Sequence, residues 1–187
     1  EIDVVTEDGE SVPHDDATIG EIVVRGNQIM EGYWNKPEET EEAFNARRPG
    51  WFHTGDLATL NEDGMLKIKD RKKDIIISGG ENISSLQLED CLYNHPEVRE
   101  VAIIPSPSEE WGETPKAYIV PKNGDPDEPG VTAEEITAFT KERLADYKAV
   151  RLVEFVDELP KTSTGKIQKY EIREQEWEDH DQMVGEG

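Results

Sequence analysis

The apolar residues fall into short runs separated by turn chemistry, and the character of the runs changes part-way along the chain. Up to about residue 70 they read as strands. Residues 1–13 alternate apolar and polar and break at Asp8-Gly9, the pattern of a hairpin. Gly20–Arg25 is a second strand, and Trp51–Asp56 is an aromatic strand that enters a turn. Leu57–Leu60 and Met65–Lys69 flank Asn61-Glu62-Asp63-Gly64, which predicts a hairpin with Asp-Gly at its tip. Between these strands Asn35–Ala46 predicts one short helix. Pro37 sits near its first turn and acids follow, where the helix dipole favours them.

The charged cluster Asp70-Arg71-Lys72-Lys73-Asp74 is the best internal boundary, because the order of elements changes beyond it. A strand at 75–77 leads through Ser78–Asn82 into a helix from about Ser84 to Asn94. Ser84 with Gln87 predicts a capping box, and Leu88, Cys91 and Leu92 form its apolar face. Cys91 therefore reads as a core residue and not a nucleophile. Strands at 98–104 and 116–121 follow, then a loop at 122–131 rich in Asp, Pro and Gly, then a helix capped by Thr132 with Glu135. A strand at 150–156 precedes the loop 159–166 and a last, very polar helix. The fold class is α+β, with strands and helices mixed in the second half and no internal repeat.

Composition narrows the setting. The 187 residues carry 20 Lys+Arg against 43 Asp+Glu, a formal net charge of −23, with 34% hydrophobic residues and a mean hydropathy of −0.76. Phosphate-backbone binding needs a basic stripe, so nucleic acid is excluded as the main partner. No apolar run approaches the roughly 18 to 20 residues of a membrane span, and no signal-peptide core opens the chain. One cysteine rules out a disulfide framework, and histidines at 14, 53, 95 and 180 are too scattered for a metal site. Low hydrophobicity with high charge can signal disorder. The organised runs, such as Val101–Ile104 and Ala117–Val120, indicate instead a folded core under a carboxylate coat. Only 12 of the 20 basic residues are Lys, which together with the acids suggests a halophilic source. An ordinary acidic cytoplasmic protein is the alternative.

Several short stretches could carry chemistry, each with a plain structural alternative. Thr162-Ser163-Thr164-Gly165-Lys166 could bring backbone N–H groups and an ammonium to phosphate or carboxylate oxygens. It lacks the spacing of a P-loop, and taken alone it reads rather as a solvated turn with an exposed lysine. Asp56, beside Gly55 at a strand end, suits a vicinal diol such as ribose, or an Asx turn. Ser78-Gly79-Gly80 would let a narrow ligand approach the backbone, or make a hairpin or helix-entry turn. Arg71 is a fork donor within the boundary cluster, and Trp111 an aromatic exposed in a loop.

Taken in order, these stretches resemble the adenylate-forming superfamily of acyl- and aryl-CoA synthetases, luciferases and peptide-synthetase adenylation domains. The resemblance rests on Gly20–Gly26, Gly32-Tyr33-Trp34, Trp51–Leu57, Asp70–Asn82, Trp111-Gly112-Glu113 and Leu159–Ile167, in register from about Ile2 to Ile172. Ser78–Ser85 is most similar to the acyl-CoA synthetase branch, a ligase of fatty acid metabolism. The resemblance implies that a carboxylic acid attacks the α-phosphate of ATP, bound with Mg²⁺, to give acyl-adenylate, and that CoA then takes the acyl group. It implies Lys166 as the catalytic lysine, and Asp56 and Arg71 as ATP/AMP-binding residues. Lys73 falls at the implied hinge. Gly79 and Gly80 would line the pantetheine channel, with Trp111 against CoA. Gln87 and Ser108 depart from residues frequent in the family, at positions that bear on local capping.

The same resemblance implies that residues 1–72 end a large β-rich adenylating domain and that 73–187 form a mobile C-terminal lid. The phosphate loop, acyl pocket and most Mg²⁺ ligands would precede Glu1. The partners expected are therefore the acid, ATP, CoA and an N-terminal part of the same cytoplasmic chain, and these residues alone are expected to be inactive. Two alternatives stay open: an adenylation domain that loads a carrier protein, and a non-catalytic module that keeps the lid fold.

Overall fold

The computed structural model describes residues 1–45 and 47–178. They form two units, Glu1–Lys73 and the residues from Asp74 onward, with the division inside the charged cluster.

The first unit is an antiparallel sheet of four strands in the order β1-β2-β3-β4: Ile2–Val5, Gly20–Val24, Phe52–Leu60 and Leu66–Arg71. Alternation of side chains puts successive residues on opposite faces. Val4, Ile22, Ala58 and Leu60 accordingly pack on one side with Val12, while Val5 and Val23 pack on the other with Trp51. The guanidinium groups of Arg25 and Arg48 lie 4.7 and 4.6 Å from the Trp51 ring. Helix α1, Pro37–Asn45, begins at the proline whose fixed φ suits a first helical turn, and Phe44 meets Phe52 of β3 at 5.4 Å.

Two expectations change here. Residues 1–13 turn back at Gly9, but Ser11 makes only a single bridge to Val5, and the ladder of β1 is with β2. Pro13, which has no N–H to donate, ends the return arm, whereas Glu21–Val24 offers a full set of partners. The aromatic strand does not stop at a turn either. β3 continues through Gly55 and Asp56 to Leu60, absorbing register slips opposite Glu21–Val23 and between Leu57 and Ala58. The β3–β4 hairpin closes over Asn61–Gly64 as expected.

In the second unit β5 (Ile76–Ser78) and β6 (Glu81–Ile83) form a hairpin around Gly79 and Gly80. The sequence pattern leads directly into a helix at this point. The pair of glycines, at φ +60° and +86°, supplies the positive-φ turn that folds the chain back once before the helix. Helix α2, Ser85–Leu92, then starts at Ser84, whose hydroxyl accepts from the Gln87 N–H at 3.2 Å. Its buried face carries Ser85, Leu88, Glu89 and Leu92; Cys91 is half-buried at the margin, and burial pushes its thiol up.

The long strands β7 (Val98–Ser108) and β8 (Gly112–Pro121) pair antiparallel. The other edge of β8 is shared by β5, at Ser78–Gly112, and by β9 (Leu152–Phe155), which runs parallel to it. Helix α3, Ala133–Arg143, carries the Thr132–Glu135 capping box with both hydrogen bonds formed. Ile76, Leu88, Ile103, Ile119 and Ile136 pack on the sheet face that α2 and α3 cover. Ala102, Ile104 and Val120 pack on the opposite face with Leu159 and with Ile172 of α4, Lys169–Glu176. This is the α+β fold class anticipated. No helix among the described residues is long and apolar enough to cross a membrane.

Candidate functional site

Asp56 and Arg71 are direct cross-strand partners in β3 and β4, and the Arg71 Nε lies 2.8 Å from Asp56 Oδ1. The carboxylate is held in place from below. Thr54 Oγ1 donates to the Ile22 carbonyl at 2.8 Å and accepts from the Asp56 N–H at 3.1 Å. Gly55, at φ +73°, donates its N–H to Glu21 Oε1 at 3.0 Å. Glu21 is buried, and its other oxygen faces His53 Nδ1 at 3.2 Å, while His53 Nε2 accepts from the Arg48 N–H at 3.3 Å. Because Nε2 accepts, the ring proton sits on Nδ1 and points to Glu21. Asp56 itself stays partly open to solvent and can accept from two adjacent hydroxyls.

Lys73 lies in a single 3-10 turn, Lys72–Asp74, where the two units meet along the chain, and its side chain is exposed.

Gly79, Gly80 and Trp111 come together. The Gly79 N–H donates to the Trp111 carbonyl at 2.8 Å, and a Cβ on Gly79 would stand 2.9 Å from the indole. A Cβ on Gly80 would meet nothing within 4 Å, so this side of the turn is open. Glu113, next along β8, is buried and accepts from the Ile77 N–H at 2.7 Å, which ties the hairpin to the strand carrying Trp111. Arg151 completes the group with its guanidinium 5.7 Å from the Trp111 ring. No sequence signal marks Arg151, since it reaches Trp111 only because β9 pairs beside β8. Glu21 could have been noticed as a carboxylate at the head of an apolar strand run.

Lys166 directly follows a tight turn at Thr162–Gly165 that is closed by a Lys161–Ile167 bridge. The Thr162 N–H donates to the Lys166 carbonyl (2.8 Å), Gly165 N–H to the Thr162 carbonyl (2.9 Å) and Lys166 N–H to Thr162 Oγ1 (3.1 Å). The Thr162 and Thr164 hydroxyls bond each other at 2.9 Å. These N–H groups are thus spent inside the turn, and what it offers a ligand is the exposed ammonium. Closing so short a turn uses three of its backbone donors internally. The stems on either side are fixed, with Leu159 and Ile172 buried in one apolar cluster and Ile167 packed against it.

Helix α4, which follows the turn, is anchored by charge. Glu176 Oε1 accepts from Ser106 Oγ, and Oε2 from Lys116 Nζ at 2.7 Å and the Tyr118 hydroxyl at 2.5 Å. Burial pushes the Glu176 carboxyl up, but the bonds from Lys116, Ser106 and Tyr118 outweigh it and hold the carboxyl below the usual range. Burial and the bond to Glu176 push the Tyr118 phenol up to about 12. Burial alone would lower the Lys116 ammonium, and its bonds to Glu176, Tyr118 and Glu154 raise it instead. Among the described residues no group of three or more His, Cys, Asp or Glu side chains is arranged to hold a metal ion.

The chain is similar to known proteins. Residues 87–166 match the AMP-binding enzyme C-terminal domain. The chain is 50% identical over 166 residues to a probable acyl-activating enzyme of Arabidopsis thaliana, covering 89% of this chain and 30% of that protein. It is 51% identical over 174 residues to an acetate–CoA ligase of Humulus lupulus, covering 92% and 30%. Among solved structures, ATP-bound MatB from Rhodopseudomonas palustris superposes with a TM-score of 0.82 at 33% identity, over 96% of this chain and 34% of that one. The chain thus spans about a third of the length of the proteins it matches. Residues 87–166 thus match the AMP-binding enzyme C-terminal domain, and the chain is similar to a part of the acyl-activating enzymes and CoA ligases.

Proposed function

We propose that this chain is the C-terminal portion of an AMP-forming acyl-CoA synthetase, with the rest of the machinery in a longer protein. Residues 1–72 end the adenylating domain, 73–187 act as its lid, and Lys73 is the hinge. The observation that supports this best is the reach of the similarity. It runs through both units, over 89–92% of the chain, and is not confined to residues 87–166.

In the first half-reaction a substrate carboxylate attacks the α-phosphate of ATP and pyrophosphate leaves. Asp56 accepts the ribose hydroxyls, and Arg71 both steadies that carboxylate and donates to the ribose side of the nucleotide. The Lys166 ammonium bridges the carboxylate and phosphoryl oxygens as negative charge spreads over them, an electrostatic role without proton transfer. Mg²⁺ would be bound with the triphosphate, and we assign most of its ligands to the rest of the protein. In the second half-reaction the CoA thiol attacks the acyl carbonyl and AMP leaves. The open turn at Gly79-Gly80 gives pantetheine its path, with Trp111 as an aromatic wall. We place the reaction in fatty acid metabolism and the setting in the cytoplasm of a halophile.

The test uses the full-length enzyme. Carboxylate-dependent ATP–pyrophosphate exchange and CoA thioester formation are both expected. Lys166→Ala should reduce exchange by about 100-fold or more while sparing transfer from supplied acyl-adenylate to CoA. Equal loss of both half-reactions would contradict the role of Lys166, and exchange by residues 1–187 alone would overturn the reading of this chain as a portion.

A further inference from the structure

The turn that presents Lys166 and the residue that follows Lys73 are tied to each other. Arg173 lies on α4, one turn into the helix that follows Lys166, and its Nη1 stands 2.6 Å from Asp74 Oδ1. The partners are 99 residues apart in the chain, and their side chains are only 14% and 17% exposed. A pair so shielded is screened far less than a surface ion pair and resists separation, because breaking it strands a partly buried charge. Asp74 is the first residue of the second unit.

Three further residues make α4 part of the same body. Lys169 Nζ donates to Ser85 Oγ at 2.9 Å and pairs with Glu89 on α2. Glu89 in turn accepts from the Ile103 N–H of β7 at 2.8 Å. Glu176 is held by Lys116, Tyr118 and Ser106, and the Trp177 indole N–H donates to the Pro105 carbonyl at 2.8 Å. These attach α4 to the helix and sheet of the unit. The Arg173–Asp74 pair differs from them in its position, since it attaches α4 to the segment where the chain crosses from the first unit.

We propose that Arg173 is a positioning residue for adenylation, its ion pair with Asp74 making the junction after Lys73 and the Lys166 turn move as one rigid piece. The inference rests on the ligase reading above. If the second unit rotates about Lys73, the chain just past the hinge can either carry the whole unit with it or flex and absorb the motion. With Asp74 locked to α4, rotation at the hinge is delivered to the base of the Lys166 turn. Without that lock the ammonium arrives displaced, and a misplacement of about 1 Å can cost about 100-fold in rate. Thioester formation does not use Lys166 in this scheme and is insensitive to the fault.

The experiment measures both half-reactions in the full-length enzyme for wild type, Asp74→Asn, Arg173→Met and the double variant, with melting temperatures alongside. Each single variant is expected to lose about 10- to 100-fold in carboxylate-dependent ATP–pyrophosphate exchange. The double variant should be no worse than the worse single, as for two ends of one interaction. Thioester formation from supplied acyl-adenylate and CoA should stay within about threefold of wild type, a margin smaller than 1 kcal/mol. Asp74→Asn is nearly isosteric and keeps the test decisive if Arg173→Met does not fold. Parallel losses in both half-reactions, additive losses in the double variant, or unchanged exchange would overturn the inference alone. A wild-type enzyme lacking either half-reaction would overturn the ligase reading and the inference with it.

Discussion

Gly79 and Trp111 are joined twice: by a 2.8 Å hydrogen bond from the glycine N–H to the tryptophan carbonyl, and by an indole that leaves no room for a side chain on the glycine. Both glycines of this turn have positive φ, so alanine at either position should cost about 1–2 kcal/mol. Only at position 79 does the new methyl also strike Trp111. Gly79→Ala should therefore be partly rescued in a Trp111→Ala background, whereas Gly80→Ala should gain nothing from it. Denaturant unfolding of the three single and two double variants checks this, and equal rescue at both positions would contradict it.

The Asp56–Arg71 pair separates binding from stability. Its side chains are 29% and 56% exposed, so the ion pair contributes about 0–1 kcal/mol to folding. Asp56→Asn should leave the melting temperature almost unchanged and yet raise the KM for ATP by about tenfold, the loss expected when charge-assisted hydrogen bonds become neutral ones. A large fall in melting temperature with KM unchanged would make the pair structural.

Much of the scaffold around these groups can be read from sequence because its signals are local. Asp63-Gly64 between alternating strands, and Thr132 three residues before Glu135, each close a motif within a few residues. What could not be read depends on distant partners. The choice of β2 over Ser11 as the partner of β1 is a competition between two edges. The extra strand β6 follows from the φ values of two glycines that would also fit a helix entry. The same distinction applies to the site. Motif residues such as Asp56, Gly79 and Lys166 stand out by composition and order, while Glu21, Arg151 and Arg173 act through contacts that only the fold creates.

The anchor of α4 should be visible in the pH dependence of stability. Tyr118 has its folded-state value raised from 10.0 to about 12, so the stability it contributes is complete below pH 10 and is lost as pH rises toward 12. Tyr170, raised by its bond to Glu171, adds to the same limb. Glu176 is depressed below 4.5, so its contribution is present above that pH and disappears as acid protonates the folded carboxyl. Thermal melts from pH 9 to 12 should show a steeper decline for wild type than for Tyr118→Phe. Identical slopes would show that the phenol does not sense Glu176.

The acidic surface gives a prediction about salt. Among the described residues the buried carboxylates are Glu21, Asp70, Glu89 and Glu113, and each accepts at least one hydrogen bond. The other described acids remain in contact with solvent and repel one another in a chain of net charge −23. Screening should relieve that repulsion, so the melting temperature is expected to rise with KCl up to molar concentrations. A flat or falling curve would refute the halophilic setting.

The parallel placement of β9 beside β8 carries a consequence for how the molecule assembles. The β5–β6 and β7–β8 hairpins close over a few residues and can form as soon as their own strands exist. β9 can join β8 only after the loop and α3 between them have crossed over the sheet, a much longer closure with a larger entropic barrier. The segment bearing Lys166 leaves β9 directly and is the last to be secured. During synthesis the chain would then complete its hairpins and glycine turn first, and the Lys166 turn would reach its final position only when the rest of the unit is already in place.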